Sequence, residues 1–269
     1  MADDIGLRID RPATAVIRLT LDRPPSRNAL TRELVIALNA ALDDASKDPS
    51  CRAMILTGAN GSFCSGQDMR DAAERNQRGS IGVVERLHWQ EQFAGMIQRI
   101  RRMPQPVIAA VDGAAVGAGM GLALAADVRL ATSTTRFLVA SIKIGLSAGE
   151  SGISYHLPRL IGAGRAGLVM LSGRPIEAAE AERIGLVSLV VEPQHLEASA
   201  LEIAAEICAN SPFAVAQTKR MMWQTLDAAS LDAALELENR TQILAVATDD
   251  YREATRAFVE KRPPRFEGR

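Results

Sequence analysis

The sequence predicts an α/β protein, a mostly parallel sheet covered by helices, with a helical module at its C-terminal end. Three observations predict it. The β-branched or apolar runs "TAVIRLTL" (14–21), "CRAMILTG" (51–58) and "PVIAAVDG" (106–113) alternate with stretches of helical spacing through short loops, the rhythm of strand–helix layers. The last of these runs is apolar throughout and bounded by proline and glycine, as expected of a strand covered on both faces. After about residue 195 the strand signals stop. "HLEASALEIAAEICANS", "FAVAQTKRMMWQTLDAA", "SLDAALELENRTQILAVAT" and "DDYREATRAFVEKRPP" follow as successive helical stretches. The expected division is a core over 1–194 and a helical module over 195–269.

The elements follow in order. The alternating strand at 14–21 leads to a helix over 31–48 with Thr31 as its N-cap, a residue type whose hydroxyl accepts from a free helix N–H. The strand at 51–58, closed by Gly58, runs into the loop "ANGSFCSGQD" (59–68). Asp68, Asp71 and Glu74 open a helix-like polar segment, where acids cap free N–H groups and oppose the helix dipole. "VVERLHWQEQFAGMIQRIRRM" (83–103) reads as a helix stopped by Pro104 and Pro106. The next strand ends in "VDGAAVGAGMGLALAAD" (111–127), which places Gly113, Gly117, Gly119 and Gly121 just ahead of a helix-forming run. "RFLVASIKI" (136–144) reads as a strand, and a further helix starts near Ser151.

Bulk properties exclude several function classes. Among 269 residues, Lys plus Arg number 31 and Asp plus Glu 32, so the protein lacks the one-signed field that nucleic acid or an anionic membrane surface selects. A small neutral or modestly anionic ligand is the expected partner. Three cysteines, Cys51, Cys64 and Cys208, do not make a disulfide framework and suit a reducing compartment; the expected location is the cytoplasm. "MADDIGLRID" has no secretory signal character. Residues 107–126 are apolar enough for a membrane span, but Asp112 and the glycines break them into a buried strand, turn and helix.

Several motifs invite a mechanism. Gly162-Ala-Gly164-Arg-Ala-Gly167 fits the dinucleotide fingerprint but follows "YHLPRLI", which carries Pro158, and reads as a helix start. Gly61 to Gly66 has phosphate-loop spacing but continues as Gln67-Asp68 in place of Lys-Ser/Thr. Gly145-Leu-Ser147-Ala-Gly149 matches the nucleophile elbow, and with Glu180 or Glu192 and His195 downstream a serine hydrolase is the alternative from a different class. Against it, that elbow needs a helix directly after the serine. His88, His156 and His195 are dispersed, so no metal site is expected, and His88 beside Trp89 reads as a packed or half-exposed helix residue.

Together, "LDRPPSRNALT" (21–31), "AMILTGANGSFCSGQDM" (53–69), "PVIAAVDGAAVGAGMGLALAADVRLAT" (106–132) and "LSGRPIEAAEAERIGLVSLVV" (171–191) closely resemble the crotonase family, the enoyl-CoA hydratase/isomerase superfamily. "TDDYREATRAFVEKRPPRFEG" (248–268) is similar to that family's C-terminal helix. The resemblance implies a crotonase-type ββα spiral whose C-terminal helical module mediates oligomerisation, as trimers or paired trimers. It implies an acyl-CoA substrate, hydrated or isomerised through a thioester enolate, with CoA as part of the substrate and no further cofactor. The thioester oxygen is implied to sit between two backbone N–H groups, carried here onto Ser65 and Ala118. Gly66 and Gly117 would clear its approach, and the helix N-terminus would add partial positive charge where the enolate oxygen forms.

Departures from the family pattern narrow the chemistry. The two glutamate positions of the family's hydratases fall on Gly121 and Ser141, so Ser141 is carried over as a substrate-contacting residue and two-glutamate water addition loses its acids. Counting back from Leu157-Pro158-Arg159 places Glu150 where the family's dienoyl-CoA isomerases carry a catalytic acid, in a loop one residue longer than in typical hydratases. One carboxylate beside an enolate can take a proton at one carbon and return it at another. The competing reading makes Glu150 a cap for the helix near Ser151. For CoA, the resemblance implies Arg27 and Arg70 near the phosphates and adenine, and Phe258 and Lys261 near the CoA of a neighbouring subunit. Each of these is equally readable as a solvated surface residue. A catalytically inactive acyl-CoA-binding homologue is the remaining alternative.

Overall fold

The computed structural model describes residues 5–77 and 82–269, and of 75–77 the backbone only. The protein opens with an antiparallel pair, β1 (Leu7–Ala13) and β2 (Val16–Leu21), in register Leu7 to Leu21. Helix α1 (Arg32–Lys47) starts as expected, Thr31 accepting from Leu34 N–H, and buries Leu34, Val35, Leu38 and Leu42 on one face. Then come β3 (Ala53–Gly58), α2 (Met69–Gln77), α3 (Val83–Arg102) and β4 (Val107–Val111). All five residues of β4 are buried, which the apolar run foretold. The glycine-rich stretch forms β5 (Ala114–Val116) and α4 (Ala118–Ala125), followed by β6 (Val128–Thr132) and β7 (Arg136–Leu138).

The second half continues with α5 (Ile153–Ile161), α6 (Ala163–Ser172), β8 (Ile176–Glu177), α7 (Ala178–Arg183), β9 (Leu189–Val191) and α8 (Leu196–Cys208). It ends in α9 (Pro212–Thr225), α10 (Leu231–Val246) and α11 (Asp249–Glu260). Six strands form one sheet, β1-β2-β3-β4-β6-β9, parallel except for the β1–β2 pair, and β5-β7-β8 form a smaller second sheet. One core joins α1, α3 and α4 to the near face of the large sheet; a second core covers its far face.

Two expectations change, and a third, the broken run 107–126, holds. Only 136–138 of the run 136–144 is strand, because residues 141–144 wind into a 3-10 turn ended by Gly145 at φ 81°. Helix α8 lays Leu196, Ala200 and Ala204 against Val16, Ile55, Ile108 and Leu130 on the far face of the sheet. It belongs to the body, so the expected boundary at 194/195 falls too early and the projecting helices begin with α9. Residues 107–126 divide into β4, β5 and α4, and among the described residues no helix is long and apolar enough to cross a membrane.

Helix α9 is pinned to the body by buried charge. Lys219 Nζ donates to Asp127 Oδ2 (2.8 Å), Ile100 O (2.9 Å) and Gln105 O (2.8 Å), while Asp127 also accepts from Trp223 Nε1 and Val107 N–H. Beyond that anchor the apolar side chains lose cover. Helix α10 has no buried residue, and Leu231, Ile243 and Leu244 are exposed.

Candidate active site

The glycine-rich turn leaves helix N–H groups without acceptors. Gly117, at φ 51° and ψ −121°, ends β5 and turns the backbone into α4. The first ladder bond of α4 is Gly121 N–H to Gly117 O, so Ala118 N–H points out of the helix start, where the dipole is positive. The loop 62–68 packs on this turn. A Cβ on Gly66 would lie 2.8 Å from Val116 O and 3.6 Å from Ala118 N, which only glycine at φ 86° permits.

That loop corrects one expected donor. Ser65 N–H is already committed to Arg27 O at 3.0 Å, and Ser65 Oγ donates to Ser26 O. Gly66 N–H faces the Cys64 sulfur. Leu30 N–H donates to Gly66 O and Asp68 N–H to Leu30 O, a parallel bridge centred on Gln67. Extended backbone alternates its edges, so the Gln67 N–H faces away from Leu30, towards the edge where Cys64 pairs with Ala115 of β5. Two residues after Ser65, Gln67 therefore presents an amide with no acceptor among the described residues, on the edge of the loop that faces β5. Sequence counting had no signal for it, since Leu30 is far away in the sequence.

A single carboxylate meets the turn. A Cβ on Gly117 would lie 3.2 Å from Glu150 Oε1, which places the carboxylate one residue from the Ala118 amide. Burial raises the Glu150 pKa above the ordinary glutamate value, and the adjacent Ser141 hydroxyl opposes it. Ser141 is 5% exposed, and its Oγ has no completed hydrogen bond. The capping alternative for Glu150 fails. Gly152 occupies the N-cap of α5, that helix has no side-chain cap, and Glu150 contributes only its backbone carbonyl, to Ile153 N–H.

The place of a second acid is filled. A Cβ on Gly121 would lie 2.4 Å from Ser151 O and 2.7 Å from Ser151 Cβ, so the loop bearing Glu150 occupies the space that a side chain at 121 would need. Ser151 pays for this position with a left-handed backbone, φ 46°, followed by Gly152 at φ 74°. Such a conformation in a non-glycine residue persists only where packing enforces it.

Beside the loop runs an open groove of about 780 Å³ that brings Arg27, Ser65, Gln67 and Arg70 together. Arg27 and Arg70 are exposed there. Asp68 is structural. Although burial works against it, bonds from Arg23 and from the Asp71 and Arg70 amides hold its carboxyl below the usual range. Phe258 and Lys261, at the end of α11, do not line this groove, and Phe258 is 85% exposed.

The other motifs acquire plain roles. Ser147 is exposed and accepts from Gly149 N–H, and α5 begins six residues later, so no nucleophile elbow forms. Gly162 joins α5 to α6, helix to helix, which removes the strand a dinucleotide turn requires. His156 is buried beside Trp223, and burial pushes its pKa down to about 4. His88 is exposed on α3. Cys64 lies beneath the loop, its thiol pushed up to about 12 by burial.

Residues 11–269 match the family model described as "Enoyl-CoA hydratase/isomerase". The protein is 42% identical to a probable enoyl-CoA hydratase of Mycobacterium leprae over 265 residues, 98% of this chain and 90% of that one. It is 34% identical to a 1,2-epoxyphenylacetyl-CoA isomerase of Escherichia coli over 257 residues, 94% and 95% of the two proteins. A crystal structure of a probable enoyl-CoA hydratase/isomerase from Mycobacterium abscessus superimposes with a TM-score of 0.90 at 41% identity, covering 98% of this chain and 99% of that one. The protein thus belongs to the enoyl-CoA hydratase/isomerase family, the crotonase family, and is an acyl-CoA-processing enzyme of that kind.

Proposed function

We propose that this enzyme isomerises the double bond of an enoyl-CoA thioester, with Glu150 as its one acid–base group. The carrying observation is the Glu150 carboxylate seated on Gly117 while Ser151 fills the space at Gly121. In this reading the thioester oxygen lies between the Gln67 and Ala118 N–H groups. Glu150 takes a proton from C2 of a 3-enoyl-CoA, the electron pair forms the C1–C2 double bond of a dienolate that keeps its C3–C4 double bond, and the negative charge settles on the thioester oxygen. The protonated acid then gives the proton to C4, whose double bond to C3 is consumed; the C1–C2 pair shifts to C2–C3, the thioester carbonyl re-forms, and 2-enoyl-CoA results. The proton count balances without water or a cofactor. Each oxyanion donor is worth about 3 kcal/mol of barrier. A raised pKa suits the role, since a base near the working pH both takes and returns its proton.

Arg27 and Arg70 hold the CoA phosphates in the groove. The uncovered faces of α10 and α11 support assembly as trimers or paired trimers, with Phe258 and Lys261 meeting the CoA of a neighbouring subunit. The names of the relatives also include hydratases, which makes hydration the competing outcome. The test is incubation with 3-enoyl- and 2-enoyl-CoA esters in deuterated water, followed by mass and absorbance. The expected result is 3-enoyl to 2-enoyl conversion with deuterium entering at exchanged carbons. Addition of one water as the main product would overturn the proposal.

A further inference from the structure

Ser141 and Glu150 stand at the two ends of one loop. Ser141 opens the 3-10 turn, where its C=O accepts from the N–H groups of Gly145 and Leu146. Glu150 closes the loop through its own C=O on Ile153 N–H. Between them Ile144, Leu146 and Ser147 face solvent, whereas Ser141 turns inward. The buried Ser141 hydroxyl has no completed hydrogen bond, an expensive condition for a buried polar atom, and the acceptor beside it is the Glu150 carboxylate.

Among the described residues no charged side chain is paired with Glu150. Helix α4 has no ionisable side chain. In the loop, Lys143 lays its stem against Gly173. On α5, Tyr155 and Arg159 bond Asp227, and His156 stacks edgewise on Trp223. From α3, Arg99 pairs with Asp43 and Arg101 lies over Trp223. Arg136 of β7 pairs with Glu177, and Arg27 and Arg70 line the groove. Among the described residues, the side-chain donor beside this base is the Ser141 hydroxyl.

We propose that Ser141 is a positioning residue for Glu150, its O–H donating to one carboxylate oxygen so that the other stays aimed at the carbon-bound proton. The proposal rests on the reading of Glu150 as the base. It accounts for a hydroxyl that burial would otherwise penalise, and it agrees with the direction in which Ser141 acts on the carboxyl.

The test compares Ser141→Ala and Ser141→Thr with the parent enzyme by two readouts. One is the titration of the Glu150 carboxyl in substrate-free protein carrying side-chain 13C-labelled glutamate. The other is the pH profile of turnover. Loss of the donor in Ser141→Ala is expected to move both upward in pH together. Turnover falls about tenfold on the acid limb and by a smaller factor on the alkaline plateau, where the carboxylate is ionised but no longer held in rotation, while KM holds; Ser141→Thr, which keeps a hydroxyl, restores the parent profile. A Glu150 titration unmoved in Ser141→Ala overturns the role of Ser141. A moved titration with an unmoved activity profile overturns instead the assignment of Glu150 as the base.

Discussion

Replacing Glu150 by glutamine keeps the shape of the side chain and deletes its charge and its titrating proton. The Gln67 and Ala118 amides and the Arg27–Arg70 groove are untouched, so acyl-CoA binding should stay nearly constant. Loss of a positioned acid–base group costs turnover about 10²–10⁴-fold, a barrier rise of about 3–5 kcal/mol. Stability should move the other way. The Glu150 pKa is raised because burial penalises its ionised form in the folded state. That penalty is absent below the pKa of an unfolded glutamate and develops as pH rises through the folded value. Glu150→Gln removes it, so the melting temperature should equal or exceed that of the parent at neutral pH, with the difference vanishing in acid. Steady-state kinetics, calorimetric titration with a saturated acyl-CoA and melting curves at both pH values measure all three. Turnover per folded molecule unchanged, with a loss of about 1 kcal/mol in stability, is the signature of a helix cap and would refute the reasoning.

Four further outcomes follow from the structure. Parent turnover should rise with pH through the raised Glu150 value, because the base works ionised; a profile flat across that range contradicts it. Gly121→Ala puts a methyl group 2.4 Å from Ser151 O, so the Glu150 loop must move. Turnover should fall by at least tenfold, alongside an overpacking cost of about 1–3 kcal/mol read in denaturant titrations. Lys219→Met strands the buried Asp127 and should destabilise by about 3–5 kcal/mol. Arg240→Ala, which breaks an exposed pair with Glu236, should stay within about 0.5 kcal/mol.

What the sequence made legible was local. Thr31 caps α1 because its hydroxyl needs only the N–H of Leu34, and β4 betrays itself by five consecutive apolar residues. The turn at Gly117 is visible as glycine against a helix-forming run. Distant pairing decided the rest. β1, with its charged "LRIDRPA", is an edge strand whose side chains are mostly exposed, so no alternation marks it. β5, β8 and β9 are two or three residues long and exist through their partners. Whether Ser65 or Gln67 offers a free amide depends on Arg27 and Leu30 taking the alternate positions of the loop. Glu150 was found by counting back from a proline, but its relation to Gly121 required the left-handed Ser151 to be seen in place.

The central claim is that one carboxylate and two amides share one thioester, and a crystal structure of Glu150→Gln with bound 3-enoyl-CoA tests it most directly. The account predicts the thioester oxygen about 3 Å from both the Gln67 and Ala118 nitrogens, with the side chain at position 150 over the edge of the acyl group that carries C2 and C4. A thioester oxygen bound away from either amide, or an acyl group that runs clear of position 150, would contradict it.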